Sequence, residues 1–236
     1  MVNIDTVYQR VLAFANKEQR GYITPQEFNL FANQAQMEIF EQYFYDTNAA
    51  RRVQGNDTVH SDIDDMLQEK MQIFEDFVDT PTVNSNSNYT IPDFIYRIYR
   101  AEVNNNVCEI LSSKDFRDVL AGGPLIRSNS GNHPIATVMG NELIVVTNPF
   151  TGTTSILDRV YYFRRPVNVS WGYVVINEKA MYDPSNTTDF ELHGSEETEL
   201  VYKILKYAGV SMQRQDVIQA GQSMEAIMKQ QQPKIQ

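Results

Sequence analysis

Residues 24–46 read TPQEFNLFANQAQMEIFEQYFYD, and this stretch decides the first half of the fold. Thr24, Pro25 and Glu27 form a helix start signal. The threonine caps the first turn, proline suits the first helical position, and the glutamate reaches back to the cap. Apolar and aromatic residues then recur at helical spacing, at Phe28, Phe31, Ala35, Ile39, Tyr43 and Phe44. The stretch therefore predicts a long helix with a wide aromatic face.

Helical periodicity also marks the segments on either side and the last quarter of the chain. One helix is predicted before this stretch, ending near Gly21, and another after it, over residues 61–78. Near the other end, a helix is predicted from Ser195 to Gly209, with first-turn acids and a terminating glycine. A last helix is predicted from about Gln213. Both ends of the chain are thus expected to be helical.

The middle of the chain changes to the short apolar runs that are typical of strands. The strand candidates are residues 94–103, 107–111, 135–139, 142–147, 156–164 and 167–176. Gly140-Asn141 between two of them is a hairpin signal, since both residues tolerate positive φ. Residues 80–88, rich in Ser and Asn, are predicted to be a linker, and Ser113 is predicted to cap a short helix over 114–120.

These elements predict an α+β protein. We expect a helical bundle built from both chain ends and a central small antiparallel β-sheet or sandwich. The predicted domains are 1–79 for the N-terminal helices, 89–192 for the β region with one short helix, and 193–236 for C-terminal helices that pack on the N-terminal ones.

The composition of the chain narrows the range of functions that it can have. The chain has 236 residues, 42% of them hydrophobic, and a net charge of −10, which disfavours tight binding to nucleic-acid phosphates. One cysteine cannot form an internal disulfide, so folding in a reducing compartment is expected. The N-terminus lacks the pattern of a signal peptide, and the apolar runs are too short to span a bilayer.

Motifs for chemistry are missing from the sequence. Gly122-Gly123 lacks the lysine of a phosphate-binding loop, and no Gly-x-Ser-x-Gly nucleophile motif occurs. His60 and His133 are expected in surface loops, and His193 is expected to hydrogen-bond to a helix start. Cys108 is expected to be a buried small side chain in a strand. We therefore predict that the protein is not an enzyme and holds no cofactor or metal.

Aromatic and basic residues are the candidates for an interface. Two arginines beside three aromatics at 161–165 are typical of interface anchors, although part of this aromatic content belongs in the core. The aromatic helix face indicates either cover by neighbouring subunits or an internal bundle. The candidate interface residues are Phe40, Tyr43, Phe44, Tyr162, Arg164, Arg165, Met224 and Met228.

Several stretches together resemble a family of virion proteins. They are NKEQRGYITPQEFN at 16–29, YFRRP at 162–166, WGYVV at 171–175, YDPS at 182–185, DFELH at 189–193 and the helix start after it. In these motifs the chain resembles the head-to-tail adaptor or neck ring proteins of short-tailed bacteriophages, such as the crAss-like group.

The resemblance implies a structural role in the virion neck. Such proteins form a homo-oligomeric ring, usually twelve-fold, that binds the portal protein and other neck or tail proteins. Genome DNA passes through the lumen as cargo, so an acidic wall is suitable. The resemblance places the protein in the virion after synthesis in the host cytoplasm, with no membrane partner. The alternative functions are a non-viral intracellular scaffold or binding module, and an enzyme whose site is dispersed along the sequence.

The paired arginines at 164 and 165 provide the first test. We expect the double variant Arg164→Glu with Arg165→Glu to lose self-assembly, because reversed charges at interface anchors oppose their partners. Native mass spectrometry measures the loss, and the same reversal at Arg51 and Arg52 is the matched control. Assembly that survives the reversal at 164 and 165 would exclude these two residues as anchors.

Overall fold

The computed structural model describes residues 1–16, 23–52, 58–83, 88–121, 134–146 and 157–211, with the single positions 223 and 226. Its helices are α1 (Ile4–Asn16), α2 (Pro25–Arg52), α3 (Thr58–Gln72), α4 (Ser113–Ala121) and α5 (Glu197–Ser211). Among the helices of these ranges, none combines the length and hydropathy needed to cross a bilayer.

The strands alternate with short turns through the middle of the chain. They are β1 (Glu75–Asp79), β2 (Tyr89–Thr90), β3 (Ile95–Val103), β4 (Asn106–Val107), β5 (Glu109–Leu111), β6 (Ile135–Met139), β7 (Glu142–Val146), β8 (Leu157–Arg164), β9 (Tyr173–Ile176) and β10 (Lys179–Tyr182). They form two four-stranded sheets, in the orders β1-β8-β3-β4 and β2-β7-β6-β5, and the hairpin β9-β10. The fold is therefore mixed α and β, as the sequence predicts, although β5 and β6 pair in parallel where only antiparallel pairing is expected.

The chain divides into two units. The helical unit comprises residues 1–73 and 166–236, and the sheet unit comprises residues 74–165. These boundaries differ from the predicted ones at 79 and 192, because the sheet unit ends before the hairpin β9-β10. In the sheet unit, both four-stranded sheets contribute to one buried cluster, for example Ile98, Val160 and Tyr162 from one sheet and Leu143 and Val145 from the other.

Two local signals of the sequence are confirmed. Thr24 and Glu27 form a capping box, in which the Glu27 amide donates to Thr24 Oγ1 at 3.3 Å and the Thr24 amide donates to Glu27 Oε2 at 3.0 Å. The turn at Gly140-Asn141 joins β6 to β7, and Gly140 has a φ of 61°, which glycine adopts without strain. These signals depend only on nearby residues, so the sequence suffices to predict them.

Several predicted elements differ from the structure, and one of them is the helix predicted from Ser195 to Gly209, which runs from Glu197 to Ser211 without ending at the glycine. The helix predicted over 61–78 ends at Gln72, and Phe77 and Val78 lie in β1, where pairing with β8 outweighs helical propensity. The helix cap predicted at Ser113 is formed by Ser112, whose Oγ accepts from the Asp115 amide at 3.2 Å.

The strand predicted over 167–176 begins only at Tyr173. Residues 167–171 before it are extended and pair mainly with side chains of α2, apart from a single antiparallel bridge between Ser170 and Thr188. Asn29 Oδ1 accepts from the Trp171 amide at 2.7 Å, and Asn33 Oδ1 accepts from the Val169 amide at 2.8 Å. Asn33 Nδ2 also donates to the Val169 carbonyl at 2.9 Å, and Gln36 Nε2 donates to the Val167 carbonyl at 2.8 Å.

These three side chains form what we call the amide ladder: Asn29, Asn33 and Gln36. They stand four and three residues apart, so they share one face of α2. Every second residue of the extended segment, at 167, 169 and 171, hydrogen-bonds to one side chain of the ladder, which matches the period of a β-strand. The ladder supplies the hydrogen bonds that a neighbouring strand would otherwise supply to this buried backbone.

Trp171 and Gly172 close the end of this segment. Trp171 Nε1 donates to Asp5 Oδ1 of α1 at 2.9 Å, and its ring lies 4.3 Å from the ring of Tyr8 between centroids. A Cβ on Gly172 would lie 2.6 Å from the Asn186 backbone, so no larger residue fits there without a backbone shift. The motif WG at 171–172 is thus a packing requirement.

The helix α5 packs against α1 and α2 in the helical unit. The buried Lys203 donates to Glu38 Oε1 of α2 at 2.7 Å and lies 3.5 Å from Glu199 of its own helix. Partial burial favours a higher pKa for Glu38, but hydrogen bonds from Lys203 and Tyr207 outweigh it and lower that pKa. A second pair joins α3 to the start of α5, with Lys70 Nζ 2.5 Å from Glu196 Oε1.

The amide ladder generates a stability prediction. We expect Asn33→Ala to lower the free energy of unfolding by about 2–4 kcal/mol, because the amide and carbonyl of Val169 both lose their partner away from water. Guanidinium chloride unfolding measures the change. Asn48→Ala, at an exposed position of the same helix, is the control and should change stability by less than about 0.5 kcal/mol. Equal effects at the two positions would contradict the role of the ladder.

Candidate interaction surface

The outer side of the sheet β1-β8-β3-β4 carries a group of aromatic side chains. Along β8, Val160 and Tyr162 point into the core of the sheet unit, so Tyr161 and Phe163 lie on the opposite side. Phe77 pairs with Tyr161 from β1, with the ring centroids 5.9 Å apart. Tyr99 of β3 lies 6.2 Å from Tyr161 and 4.9 Å from Phe163. We call these four residues the aromatic face.

A bulge in β3 brings one more residue to this face than a regular strand would. The register between β3 and β8 shifts between Ile98 and Arg100. As a result both Tyr99 and its neighbour Arg100 contact Tyr161, the Arg100 guanidinium at 5.5 Å from the ring centroid. Bulges of this kind redirect side chains and are common at functional edges of sheets.

Arginines cover part of the rings. The Arg159 guanidinium lies 4.9 Å from the centroid of Phe77, donates to Tyr161 Oη at 3.1 Å and pairs with Asp79. Arg100 Nη2 lies 2.5 Å from Glu102 Oε1. Ion pairs this exposed contribute little to stability. Their consequence is geometric, because they hold the guanidinium groups against the aromatic rings.

Two further charges flank Phe163. Glu75 of β1 and Arg97 of β3 are its partners in the sheet on either side. Neither makes an ion pair within the parts of the chain that the structure describes. Partial burial raises the pKa of the Glu75 carboxyl. The aromatic face therefore has charges of both signs at its border that a partner can still pair with.

Two of the four residues of the aromatic face are exposed enough to bind a partner. Phe77 keeps 49% and Tyr99 keeps 41% of its surface in contact with solvent, whereas Tyr161 is half-buried and Phe163 is buried beneath them. Tyrosine, phenylalanine and arginine are the side chains that dominate protein interfaces, because they bury a large area at a low cost in conformational entropy. The arrangement suits recognition of a complementary protein surface, with a central aromatic group and a charged border.

The interface candidates from the first helical stretch lie mostly in the core. Phe40 and Tyr43 are buried inside the helical unit, and Phe44 is half-buried with its ring 5.1 Å from that of Phe40. Lys70 lies over the ring of Tyr43 at 5.8 Å. The chain itself thus covers Phe40 and Tyr43, so of the two explanations left open for the aromatic helix face, internal packing applies to these two side chains and neither is available as an interface residue.

The candidates from the strand are divided between core and surface. Tyr162 is buried in the core, so the outward tyrosine is Tyr161 instead. Arg164 is half-buried, with its guanidinium 5.9 Å from the ring of Phe74, and Arg165 is exposed. Met224 and Met228 lie outside the described residues. The sequence alone left open which tyrosine faces solvent. Arg159 is a signal for it, because residues two apart in a strand lie on the same side, so a charged residue at 159 indicates that Tyr161 faces outward.

The histidines differ in outcome. His193 Nδ1 accepts a hydrogen bond from the Ser195 amide at 3.3 Å before α5, which confirms the predicted link to the helix start. His60 lies in α3 and not in a loop, since α3 begins at Thr58. His133 is outside the described ranges. Within those ranges, no group of three or more His, Cys, Asp or Glu is placed to hold a metal ion.

Cys108 generates a chemical prediction. Its thiol is buried in the core of the sheet unit, and this burial, with the charges of Asp158 and Glu102, raises its pKa to about 12. We expect iodoacetamide at pH 8 to leave Cys108 unmodified in the folded protein, because the reactive thiolate is scarce and inaccessible. Intact mass measurement should show one adduct only after unfolding. Rapid labelling of the folded chain would contradict this burial.

The aromatic face with its charged border is the feature of the structure that bears on function. The search for matching family models and for curated proteins with a similar sequence finds no match to this chain.

Proposed function

We propose that this chain is a structural virion protein, a head-to-tail adaptor or ring component of a phage neck. In this proposal copies of the chain form a ring that binds the portal or an adjacent ring and lets genome DNA pass. The resemblance of the sequence motifs supplies the family, and the aromatic face is the single structural observation that carries the proposal. In this proposal the chain binds other proteins and catalyses no reaction.

The aromatic face supports assembly because of its composition and exposure. Phe77 and Tyr99 would bury about 150–250 Å² each if fully covered, and roughly half of that area is already lost within the sheet unit. A partner that covers the remainder, together with the guanidinium groups of Arg100 and Arg159, gains an interface core with a charged border. This pattern is typical of stable protein contacts.

The charge of the chain fits the passage of DNA. A net charge of −10 repels phosphates, so a channel wall built from such subunits would not retain the genome as it moves. A protein that binds tightly to nucleic-acid phosphates needs a positively charged surface instead.

The helical unit supplies the second part of the proposal, a bundle formed from both ends of the chain. The contacts of α5 with α1 and α2 support it. The pair of Lys203 and Glu38, and the pair of Arg10 and Glu197 at 2.7 Å, link helices from opposite chain ends. These pairs join the two ends of the chain within the helical unit.

Assembly is tested with the aromatic face altered. We expect the wild-type chain to form closed rings, alone or with a portal protein of the same phage, in native mass spectrometry and negative-stain microscopy. The double variant Phe77→Ser with Tyr99→Ser should reduce ring formation at least about tenfold, because it removes two central anchors. Val138→Ser, at an exposed apolar position of β6 in the same unit, is the matched control.

Two results would reject the proposal. A chain that stays monomeric both alone and with the portal protein would favour the intracellular scaffold or binding module instead. Full assembly of the double variant would show that ring formation does not depend on the aromatic face. Circular dichroism of each variant separates lost assembly from lost folding.

A further inference from the structure

The hairpin β9-β10 exposes more apolar surface than a two-stranded hairpin in water normally tolerates. Its strands pair only with each other in the described structure. Val174, Ile176 and Met181 are 50%, 54% and 54% exposed, and consecutive residues of β9 are apolar. Exposed apolar surface that is continuous in this way commonly marks an interaction site.

The pairing of the strands sorts these side chains onto one side. Val174 lies opposite Met181, and Ile176 lies opposite Lys179, so these four residues share one side of the hairpin. We call Val174, Ile176 and Met181 the aliphatic face. The other side is partly covered, because Tyr173 and Tyr182 lie 6.0 Å and 5.7 Å from the ring of Trp171. Val175 on that second side stays 62% exposed, and a cleft of about 550 Å³ next to α1 is lined by Ala180 and Tyr182 together with the edge residues Lys179 and Met181.

The hairpin is shaped before any partner arrives. At its base, the Asp183 amide donates to the Gly172 carbonyl at 2.9 Å. At its tip, Asn177 and Glu178 adopt φ values of 49° and 63°, which match the twist of a tight two-residue hairpin turn. An isolated hairpin is marginal in water. The anchoring by Trp171 therefore preserves a rigid arm whose aliphatic face is left for something else to cover.

The charges at the tip of the hairpin complement those at the border of the aromatic face. Glu178 and Lys179 make no ion pair within the described ranges, and the same holds for Glu75 and Arg97 beside Phe163. Each surface thus has one acid and one base without an ion-pair partner. One surface is aliphatic and the other aromatic, which allows Met181 to pack on rings.

We propose that the aliphatic face of the hairpin in one copy docks on the aromatic face of a second copy, with Lys179 beside Glu75 and Glu178 beside Arg97. The two surfaces share no residue, so each copy offers one of each and the contact is head-to-tail, as in a ring. This inference rests on the proposed function in one respect, because it names the contact by which ring subunits join. In such a ring, one neighbour covers the aliphatic face of each copy and the other neighbour covers its aromatic face.

The proximity is tested by cross-linking two single-cysteine additions. Tyr99→Cys marks the aromatic face, Ile176→Cys marks the aliphatic face, and both positions are exposed. With a short bismaleimide reagent, we expect a covalent dimer from an equal mixture of the two variants and none from either variant alone. Wild type is the control, since its single Cys108 is buried.

Charge exchange then tests the orientation of the contact. Glu75→Lys placed in the Tyr99→Cys chain should lower the yield of the mixed dimer about tenfold, because it opposes Lys179. Lys179→Glu in the Ile176→Cys chain should lower it similarly. The two exchanges together should restore the yield, since the pair is re-formed with its signs reversed. Absence of this restoration would overturn the proposed pairing.

The outcomes separate this inference from the proposed function. No mixed dimer, or a dimer from Ile176→Cys alone, would overturn the inference, the latter because it indicates hairpin-to-hairpin pairing. Rings of wild-type protein without the mixed cross-link would leave the neck function standing and reject this contact. A mixed cross-link without rings, alone or with the portal protein, would keep the contact and reject the neck function.

Discussion

The amide ladder of α2 is the interaction on which the helical unit depends. Three side chains, Asn29, Asn33 and Gln36, hold the backbone of residues 167–171 by hydrogen bonds of 2.7–3.3 Å. Without them, the buried positions of this extended segment, Val169 and Trp171, would have unsatisfied amides and carbonyls, each costing about 1–3 kcal/mol. Gln36 Oε1 also accepts from the Glu191 amide at 3.3 Å, so the ladder ties two separate stretches of backbone to one helix.

The ladder also positions the parts that carry the proposed function. It fixes Trp171, and Trp171 in turn supports the base of the hairpin through Tyr173 and Tyr182. The hairpin can therefore expose apolar side chains without collapsing onto its own unit. In the sheet unit the same result is reached differently, because the bulge in β3 and the arginine pairs hold the aromatic face open.

Local signals made much of the fold predictable. The capping box at Thr24, the glycine turn at 140 and the period of the strands each depend on residues close in sequence, and each appears in the structure. The predictions that failed are those for segments whose structure is set by residues far away in the sequence. Residues 75–79 continue a helical pattern, but pairing with β8, about 80 residues later, makes them a strand. Residues 167–171 have the pattern of a strand, but their partners are side chains of a helix.

The candidate surface was predictable only in part. The sequence identified the segment 161–165 but not which of Tyr161 and Tyr162 faces outward, because a shift of one residue exchanges the two sides of a strand. Phe77 and Tyr99 join the surface through pairing and through a bulge, and neither leaves a local mark in the sequence. Asn29, Asn33 and Gln36 did leave one, as three amides spaced four and three residues apart on one face of α2.

The division of the chain has a consequence for biosynthesis. The rungs of the ladder and their backbone partners are separated by 131–142 residues, and the whole sheet unit lies between them in the chain. On the ribosome, α2 emerges long before its partner segment, so its amides stay hydrated while the intervening unit is translated. That unit is one continuous stretch and can fold as soon as it is released. The helical unit, with its hairpin, can therefore be completed only after the whole sheet unit has been translated.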